Sequence, residues 1–348
     1  MMLYEQVQQN LRSKPKTWLL TGVAGFIGSH LLEKLLSLDQ KVIGLDNFST
    51  GSHRNLAEAL AKFPPEKQAL FQLVEGDIRD FDTCLELCKR TEIVLQQAAL
   101  GSVPRSIANP RNTHQNNVDG FFNILLAAKE AHIKRFVYAS SSSVYGDHPG
   151  LPKVEDVVGR LLSPYAVTKF VNELYASVFS RVYDLECIGL RYFNVFGPRQ
   201  DPNGPYAAVI PKWFGAMLHG EPVSIFGDGE TSRDFCYVAN VVQANILAAC
   251  TDNAGAIGQA YNIAYGERTS LNELFRMIRD CLDRNGHTID NLDIAYKDFR
   301  TGDVRHSLAD TAKAATLLGY QPTYSLPQGL EETASWYIQQ MTDRKGTM

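Results

Sequence analysis

The sequence predicts an α/β protein: a doubly wound parallel sheet with a smaller C-terminal α/β lobe. Three observations point there. Short apolar runs alternate with amphipathic stretches through the first half. The first run ends in a glycine-spaced turn that opens a helix. After about Tyr192 the texture changes, with Pro198, Pro202, Pro205, Pro211 and Pro222 crowded among glycines. Strand–helix alternation places parallel strands between two helical layers joined by right-handed crossovers.

The elements follow in order. Residues 17–20 form a first strand, and a helix runs from about 26 to 36. Strands are expected at 41–45, 70–74 and 93–95, with a short helix at 81–87. A long helical pattern covers 117–131, then a strand 135–139. Residues 164–182 are helical and 186–190 extended. The region after Tyr192 reads as loops and short elements. Strand-like 260–264 and helix-like 271–282 imply that the chain visits both lobes.

Composition narrows the class. The 348 residues are 45% apolar and 21% charged, ordinary for a globular chain and wrong for disorder, collagen or coiled coil. A net charge of −4 and a pI near 6.1 give no basic field for nucleic acid or anionic lipid. No apolar run approaches the ~20 residues of a membrane span. The polar segment before Lys16 lacks the apolar core of a signal peptide. Cys84, Cys88, Cys187, Cys236, Cys250 and Cys281 show neither a disulfide framework nor zinc spacing, so reduced thiols, a cytoplasmic protein and no metal site are expected.

The glycine turn carries the first chemistry. Gly22, Gly25 and Gly28 follow the first strand. Gly22 permits the tight turn, Gly25 admits a pyrophosphate to the backbone, and Gly28 lets helix and sheet approach closely. The helix N-terminus adds N–H donors and partial positive charge. The second strand ends in Asp46, placed to accept from an adenosine 2′-hydroxyl and to repel a 2′-phosphate. NAD is therefore expected rather than NADP, in a Rossmann domain. Asp77 either reaches the adenine amino group or caps the helix that follows.

The second constellation is Ser163-Pro164-Tyr165-Ala166-Val167-Thr168-Lys169. Ser163 suits an N-cap and Pro164 the first helical position. Tyr165 and Lys169, four apart, share a face. A tyrosine acts as a base near neutrality only if its pKa falls from ~10 to about 7, roughly 4 kcal/mol. One positive charge ~5 Å away supplies about 3 kcal/mol at an effective dielectric of 20. Burial opposes this, so a second cation is needed: the oxidised nicotinamide, aided by the helix N-terminus. Upstream, Ser140, Ser141, Ser142 and Ser143 end a strand where ligands bind in this fold.

These motifs resemble the extended short-chain dehydrogenase/reductase family over about residues 16–337. Three further segments are similar to the UDP-hexose 4-epimerase type, and more narrowly to bacterial UDP-N-acetylglucosamine 4-epimerases of surface-polysaccharide pathways. They are Ala98-Ala99-Leu100-Gly101-Ser102-Val103-Pro104-Arg105-Ser106, Gly189-Leu190-Arg191-Tyr192-Phe193-Asn194-Val195-Phe196-Gly197 and Gly302-Asp303-Val304-Arg305-His306-Ser307. Gln96 departs from the His common in the family, and Pro198 from the Arg of close relatives.

The resemblance implies an NAD-binding domain over 1–192 with a returning segment near 234–265, and a UDP-sugar lobe over 193–348. It implies NAD held tightly and regenerated each cycle. The cofactor contacts expected with it are Gly22, Gly25, Phe26, Ile27, Gly28, Asp46, Asn47, Asp77, Ile78, Gln97, Ala98, Ala99, Asn116, Tyr165, Lys169 and Tyr192. Ser141 joins Tyr165 and Lys169 in catalysis, with Ser142 beside it. Gly101, Ser102, Ser141, Ser142 and Ser143 surround the sugar. Asn194 contacts the UDP phosphates or the sugar, Arg233 and Arg300 meet the diphosphate, and Asp303 the ribose. Ser307, being small, leaves room for an N-acetyl group.

The implied reaction is redox-neutral inversion at C4 of a UDP-N-acetylhexosamine through a 4-keto sugar. A homodimer packed through the 117–131 and 164–182 helices is implied as well. Two rivals share the fold. A 4,6-dehydratase needs carboxylates where Ser142 and Ser143 stand. A non-catalytic NAD-sensing protein usually lacks the Tyr/Lys pair or the nucleotide clamp, and both are present here.

Overall fold

In the computed structural model, residues 3–204, 206–287, 289, 294–299 and 304–345 are described. Seven strands build the main sheet: β1 (Thr17–Thr21), β2 (Lys41–Asp46), β3 (Phe71–Glu75), β4 (Ile93–Gln96), β5 (Arg135–Ser141), β6 (Glu186–Tyr192) and β7 (Gln259–Ile263). All neighbours pair in parallel, in the order β7-β6-β5-β4-β1-β2-β3. The fold is thus the doubly wound Rossmann type expected.

Side-chain alternation puts apolar groups on both faces. Leu20, Leu95 and Val137 join one buried cluster with Leu31, Leu35, Val241 and Ile246. Leu19, Val94 and Phe136 join another with Phe121, Ile124 and Leu125. Each such side chain contributes about 1.5–3 kcal/mol on burial. A third cluster gathers Trp213, Phe214, Ile225, Phe235, Leu274, Ile278 and Leu330. There Val223–Phe226 pairs in parallel with Ile294–Lys297. The chain order reverses between β1 and β4, so a crevice opens at the carboxyl ends of those strands.

Four segments differ from the sequence expectation. The 117–131 pattern is not one regular helix: a π turn, Gln115–Asp119, precedes the helix Gly120–Glu130. Such turns re-aim side chains at functional sites. The polar N-terminus forms a helix, Leu3–Ser13, packing Tyr4, Val7 and Leu11 on the core. Within the proline-rich region, Val209–His219 is helical because Pro211 falls in the first turn, where no intrahelical N–H bond is lost. Val238–Cys250 is helical but buried nearly all round, so it has no polar face to read as a period. All six cysteines are free, five of them buried. Among the described residues no helix is long and apolar enough to cross a membrane.

Candidate active site

The glycine turn sits at the crevice. Gly22 has φ +68°, and a Cβ there would lie 2.8 Å from the Ala98 backbone nitrogen. The β1 turn thus packs directly on the segment leaving β4, across the reversal point. A Cβ on Gly28 would overlap the Gly22 carbonyl, so its close approach is to the turn itself. Gly25 is the N-cap of Phe26–Ser37, leaving the helix N-terminus open to a ligand.

Asp46 is buried at the end of β2. Its Oδ2 accepts from the Ala24 N–H at 2.8 Å, and its Oδ1 from the Phe48 N–H at 2.9 Å. Burial pushes its carboxyl up while these donors pull it down. Each oxygen keeps a second lone pair for a hydroxyl. Asp77 is held differently. Arg79 grips it through Nε at 3.0 Å and Nη2 at 2.6 Å, and Asn47 donates at 2.8 Å. The Arg79 hydrogen bonds hold it down at about 2. The helix-cap alternative for Asp77 is corrected: Asp80 caps Phe81–Cys88, accepting from Asp82 and Thr83.

One cleft is lined by Gly22, Gly25, Phe26, Ile27, Gly28, Asp46, Asn47, Ile78, Gln97, Ala98, Ala99, Asn116, Tyr165, Lys169 and Tyr192. Of the expected cofactor set only Asp77 stands outside this lining, behind Asn47.

Ser163 caps the helix Pro164–Val182, its Oγ accepting from the Ala166 N–H at 3.1 Å. That places Tyr165 in the first turn, near the positive end of the dipole. Lys169 is buried, donates to the Ala139 carbonyl at 2.8 Å, and lies 6.0 Å from the Tyr165 ring centroid. Burial lowers Lys169 to about 8, while the Glu173 carboxylate raises it. Burial lifts the Tyr165 phenol above its usual range, the Ser141 hydroxyl pulling it back.

The serine run divides. Ser140 donates to Glu173 and lines the same cleft as Tyr165 and Lys169. The Ser141 hydroxyl pulls the Tyr165 phenol down and accepts from the Ser143 N–H at 3.2 Å. Ser142 begins the short 3-10 turn Ser142–Tyr145. Among the described residues the buried Ser143 Oγ has no hydrogen-bond partner.

Several positioning residues escaped the sequence reading. Glu173 forms a bidentate pair with Arg191, at 2.9 Å and 2.8 Å, with both side chains almost fully buried. Its signal was available: it lies four residues after Lys169, on the same face. Asn117, aimed inward by the π turn, accepts from Leu100 N at 2.7 Å and donates to Leu100 O at 3.0 Å and to Thr168 Oγ1 at 3.2 Å. It ties the Gly101 loop to the Pro164–Val182 helix. Asn245 and Gln97 enclose the Tyr192 hydroxyl. Asp234 accepts from Tyr265, Gly266 and Ala309 backbone N–H groups; its burial pushes it up to about 7. Nothing in the local sequence marks these contacts, which join distant segments.

Of the residues expected around the sugar, Gly101 opens onto space: a Cβ there would meet nothing within 4 Å. Ser102 neighbours it, with its Oγ accepting from the Arg105 N–H at 3.3 Å. Asn194 and Arg233 line a separate cavity of about 260 Å³. Asn194 donates to the Asp234 carbonyl at 2.9 Å. Ser307 bonds by its backbone to Ser232, next to Arg233. Neither Ser307 nor Ser141, Ser142 and Ser143 line these cavities. Arg300 and Asp303 lie outside the described residues.

Comparison with known proteins adds to this geometry. The profile of the NAD dependent epimerase/dehydratase family matches residues 18–264. The UDP-glucose 4-epimerase of Mycolicibacterium smegmatis is 36% identical over 92% of this chain and 97% of its own. A solved UDP-N-acetylglucosamine 4-epimerase from Methanobrevibacter ruminantium, in complex with UDP-N-acetylmuramic acid, is 40% identical with a TM-score of 0.86. It covers 94% of this chain and 100% of its own. The Thermus thermophilus UDP-glucose 4-epimerase, solved with NAD, is 30% identical with a TM-score of 0.80, covering 92% and 99%.

Proposed function

The chain belongs to the NAD dependent epimerase/dehydratase family, and from that premise we propose that it inverts C4 of UDP-N-acetylhexosamines, interconverting UDP-GlcNAc and UDP-GalNAc. It is an NAD-dependent enzyme of the UDP-sugar 4-epimerase kind; the N-acetyl preference is what the proposal adds. The observation that carries it is the open space at Gly101, on the loop that Asn117 ties to the Tyr165 helix. A bulky C2 substituent needs that room. The 40% identical UDP-N-acetylglucosamine 4-epimerase supports the same choice.

The cleft fits NAD. Side-chain-free Gly22 and Gly28 shape the turn, Gly25 exposes a helix start, and Asp46 offers free lone pairs. Held by these residues, NAD would supply a reversible hydride acceptor for the sugar carbon. In this reading Tyr165 accepts the 4-hydroxyl proton and gives it back. Lys169, fixed by the Ala139 carbonyl, holds positive charge beside the phenol, and Ser141 orients the reacting hydroxyl. Ser142 and Ser143, though they line none of the three cavities, are assigned to the sugar in this reading. Arg233 and Arg300 clamp the diphosphate with Asn194 beside them, and Asp303 takes the ribose. Inversion requires the hexose to turn while its nucleotide stays fixed. Strong arginine contacts on one side and short hydroxyls on the other supply that contrast.

The division of labour we infer is NAD on residues 1–192 with a return near 234–265, and UDP-sugar mainly on 193–348. We also infer a homodimer. The Pro164–Val182 helix leaves Val167, Leu174, Tyr175, Val178 and Val182 exposed. Their spacing puts them on one face, beside the Gly120–Glu130 helix. A dehydratase is disfavoured because hydroxyls stand where it needs carboxylates, and the nearby Glu173 is bound to Arg191.

The test is direct. Purified protein is given UDP-GlcNAc or UDP-glucose, and products are identified by NMR. UDP-GalNAc forming faster than UDP-galactose is the expected result. Equal or faster turnover of UDP-glucose contradicts the N-acetyl preference. Ser307→Tyr is expected to shift preference toward the non-acetylated pair, and unchanged N-acetyl turnover would remove Ser307 from that role.

A further inference from the structure

A wide cavity of about 1360 Å³ joins the two sites. Gly25, Phe26 and Gly101 line both it and the cofactor cleft, while Ala207, Ala208 and Lys212 line both it and the cavity holding Asn194 and Arg233. Its volume exceeds the ~300–1,000 Å³ typical of a small-molecule site.

Its charge is lopsided. Arg54 and Arg199 on its wall are matched by Glu58 and Glu33. Arg105 and Lys212 are not: among the described residues neither has a carboxylate partner, and of the two only Arg105 is held against a ring. Its guanidinium lies 5.1 Å from the Tyr206 ring centroid. Stacking orders an arginine while leaving its N–H edge available for a bidentate anion. The wall's one carboxylate among the described residues, Asp201, already accepts from the Asn203 N–H at 2.9 Å. Ser102, which precedes Arg105, sits at φ +92°, a conformation costly for a residue with a side chain. Strain of this kind concentrates at ligand-binding positions. Its Oγ accepts from the Arg105 N–H, fixing the start of that turn.

We propose that Arg105, seated on Tyr206, receives a carboxylate carried on an arm of the sugar, so that this chain binds nucleotide N-acetylhexosamines bearing a carboxyalkyl ether better than the plain hexosamine. The proposal rests on the epimerase reading and names a substrate class within it. The arm must extend beyond the ring, because the spare volume is large and Gly101 presents no side chain to fill it. A carboxyl at C6 of the ring itself adds no reach and gains nothing from Arg105. Arg105 therefore acts as a specificity residue for the acidic arm.

The probes are UDP-N-acetylmuramic acid, whose O-lactyl group supplies such an arm, UDP-N-acetylglucosaminuronic acid, whose carboxyl is at C6, and UDP-GlcNAc. Calorimetry on the NAD-loaded protein gives each Kd, for wild type and Arg105→Gln. The lactyl sugar is expected to bind wild type more tightly than UDP-GlcNAc. The variant is expected to weaken the lactyl sugar on the order of tenfold, as for loss of a hydrogen bond to a charged group, leaving the other two within about twofold. Equal weakening of all three would place Arg105 on the diphosphate and overturn the proposal. So would weaker wild-type binding of the lactyl sugar, or an Arg105 effect confined to the C6 acid. Epimer formation is followed separately by NMR. Absence of product from every sugar refutes the epimerase reading, while the Kd pattern still decides the role of Arg105.

Discussion

At the scale of the residue, the site turns on how a buried phenol can lose a proton. Burial raises Tyr165, the Ser141 hydroxyl pulling it back, and burial lowers Lys169 to about 8. Two opposite pH trends follow for Lys169. Its folded pKa is below the usual 10.5, so its stabilising contribution is present above about pH 10.5 and lost as pH falls through 8. Activity runs the other way, because the charged ammonium is the useful form. In the enzyme, turnover is expected to decline as pH rises past the Lys169 titration, while thermal stability does not decline with it from this group. Lys169→Met removes about 3 kcal/mol of support for the phenolate, so kcat is expected to drop roughly 100-fold at neutral pH. A variant that retains wild-type kcat would show that the ammonium is not the supporting charge. The Tyr/Lys spacing and the Ser163 cap were readable in sequence, because both are local. Which serine faces Tyr165 was not derivable from spacing: Ser140 is diverted by Glu173, which lies far along the chain on another element.

At the scale of the element, the Pro164–Val182 helix carries Tyr165, Lys169 and Glu173 along one face. Glu173 couples that helix to β6 through Arg191, whose guanidinium also donates to the Glu155 carbonyl at 2.9 Å. Removing one partner leaves an uncompensated buried charge, at about 3–5 kcal/mol. Arg191→Leu is therefore expected to lower the unfolding free energy by that order in a urea titration. Double replacement of Arg191 and Glu173 by apolar residues should recover much of the loss. If the single variant unfolds like wild type, the pair does not anchor the helix. The glycine turn gives a second element-level expectation. Gly22→Ala must place a Cβ against the Ala98 backbone at positive φ. It should abolish NAD retention, measured by the cofactor absorbance of purified protein; full retention would refute the cradle. The main strands were legible as short continuous apolar runs, because they are buried on both faces, and the Pro164–Val182 helix by its amphipathic period. Periodicity missed Val238–Cys250 because that helix is wrapped by the core, and it smoothed over the π turn because one extra residue hardly changes a long helical pattern.

At the scale of the molecule, reversal of strand order between β1 and β4 brings the glycine turn, the Gly101 loop and the catalytic helix to one crevice. The exposed apolar stripe of that helix lies on its outer face, so partner packing would brace the site from behind. Sedimentation is expected to give twice the 38.7 kDa chain mass, and Leu174→Glu with Val178→Glu to give the monomer. A wild-type monomer would remove the interface. The central claim concerns the coupling of cofactor and phenol across the crevice. It is tested by titrating Tyr165 through phenolate absorbance, as the difference between wild type and Tyr165→Phe, with NAD oxidised and then reduced. Ionisation near neutral pH in the oxidised complex only is the predicted result. A phenol that ionises at the same high pH in both states would contradict it.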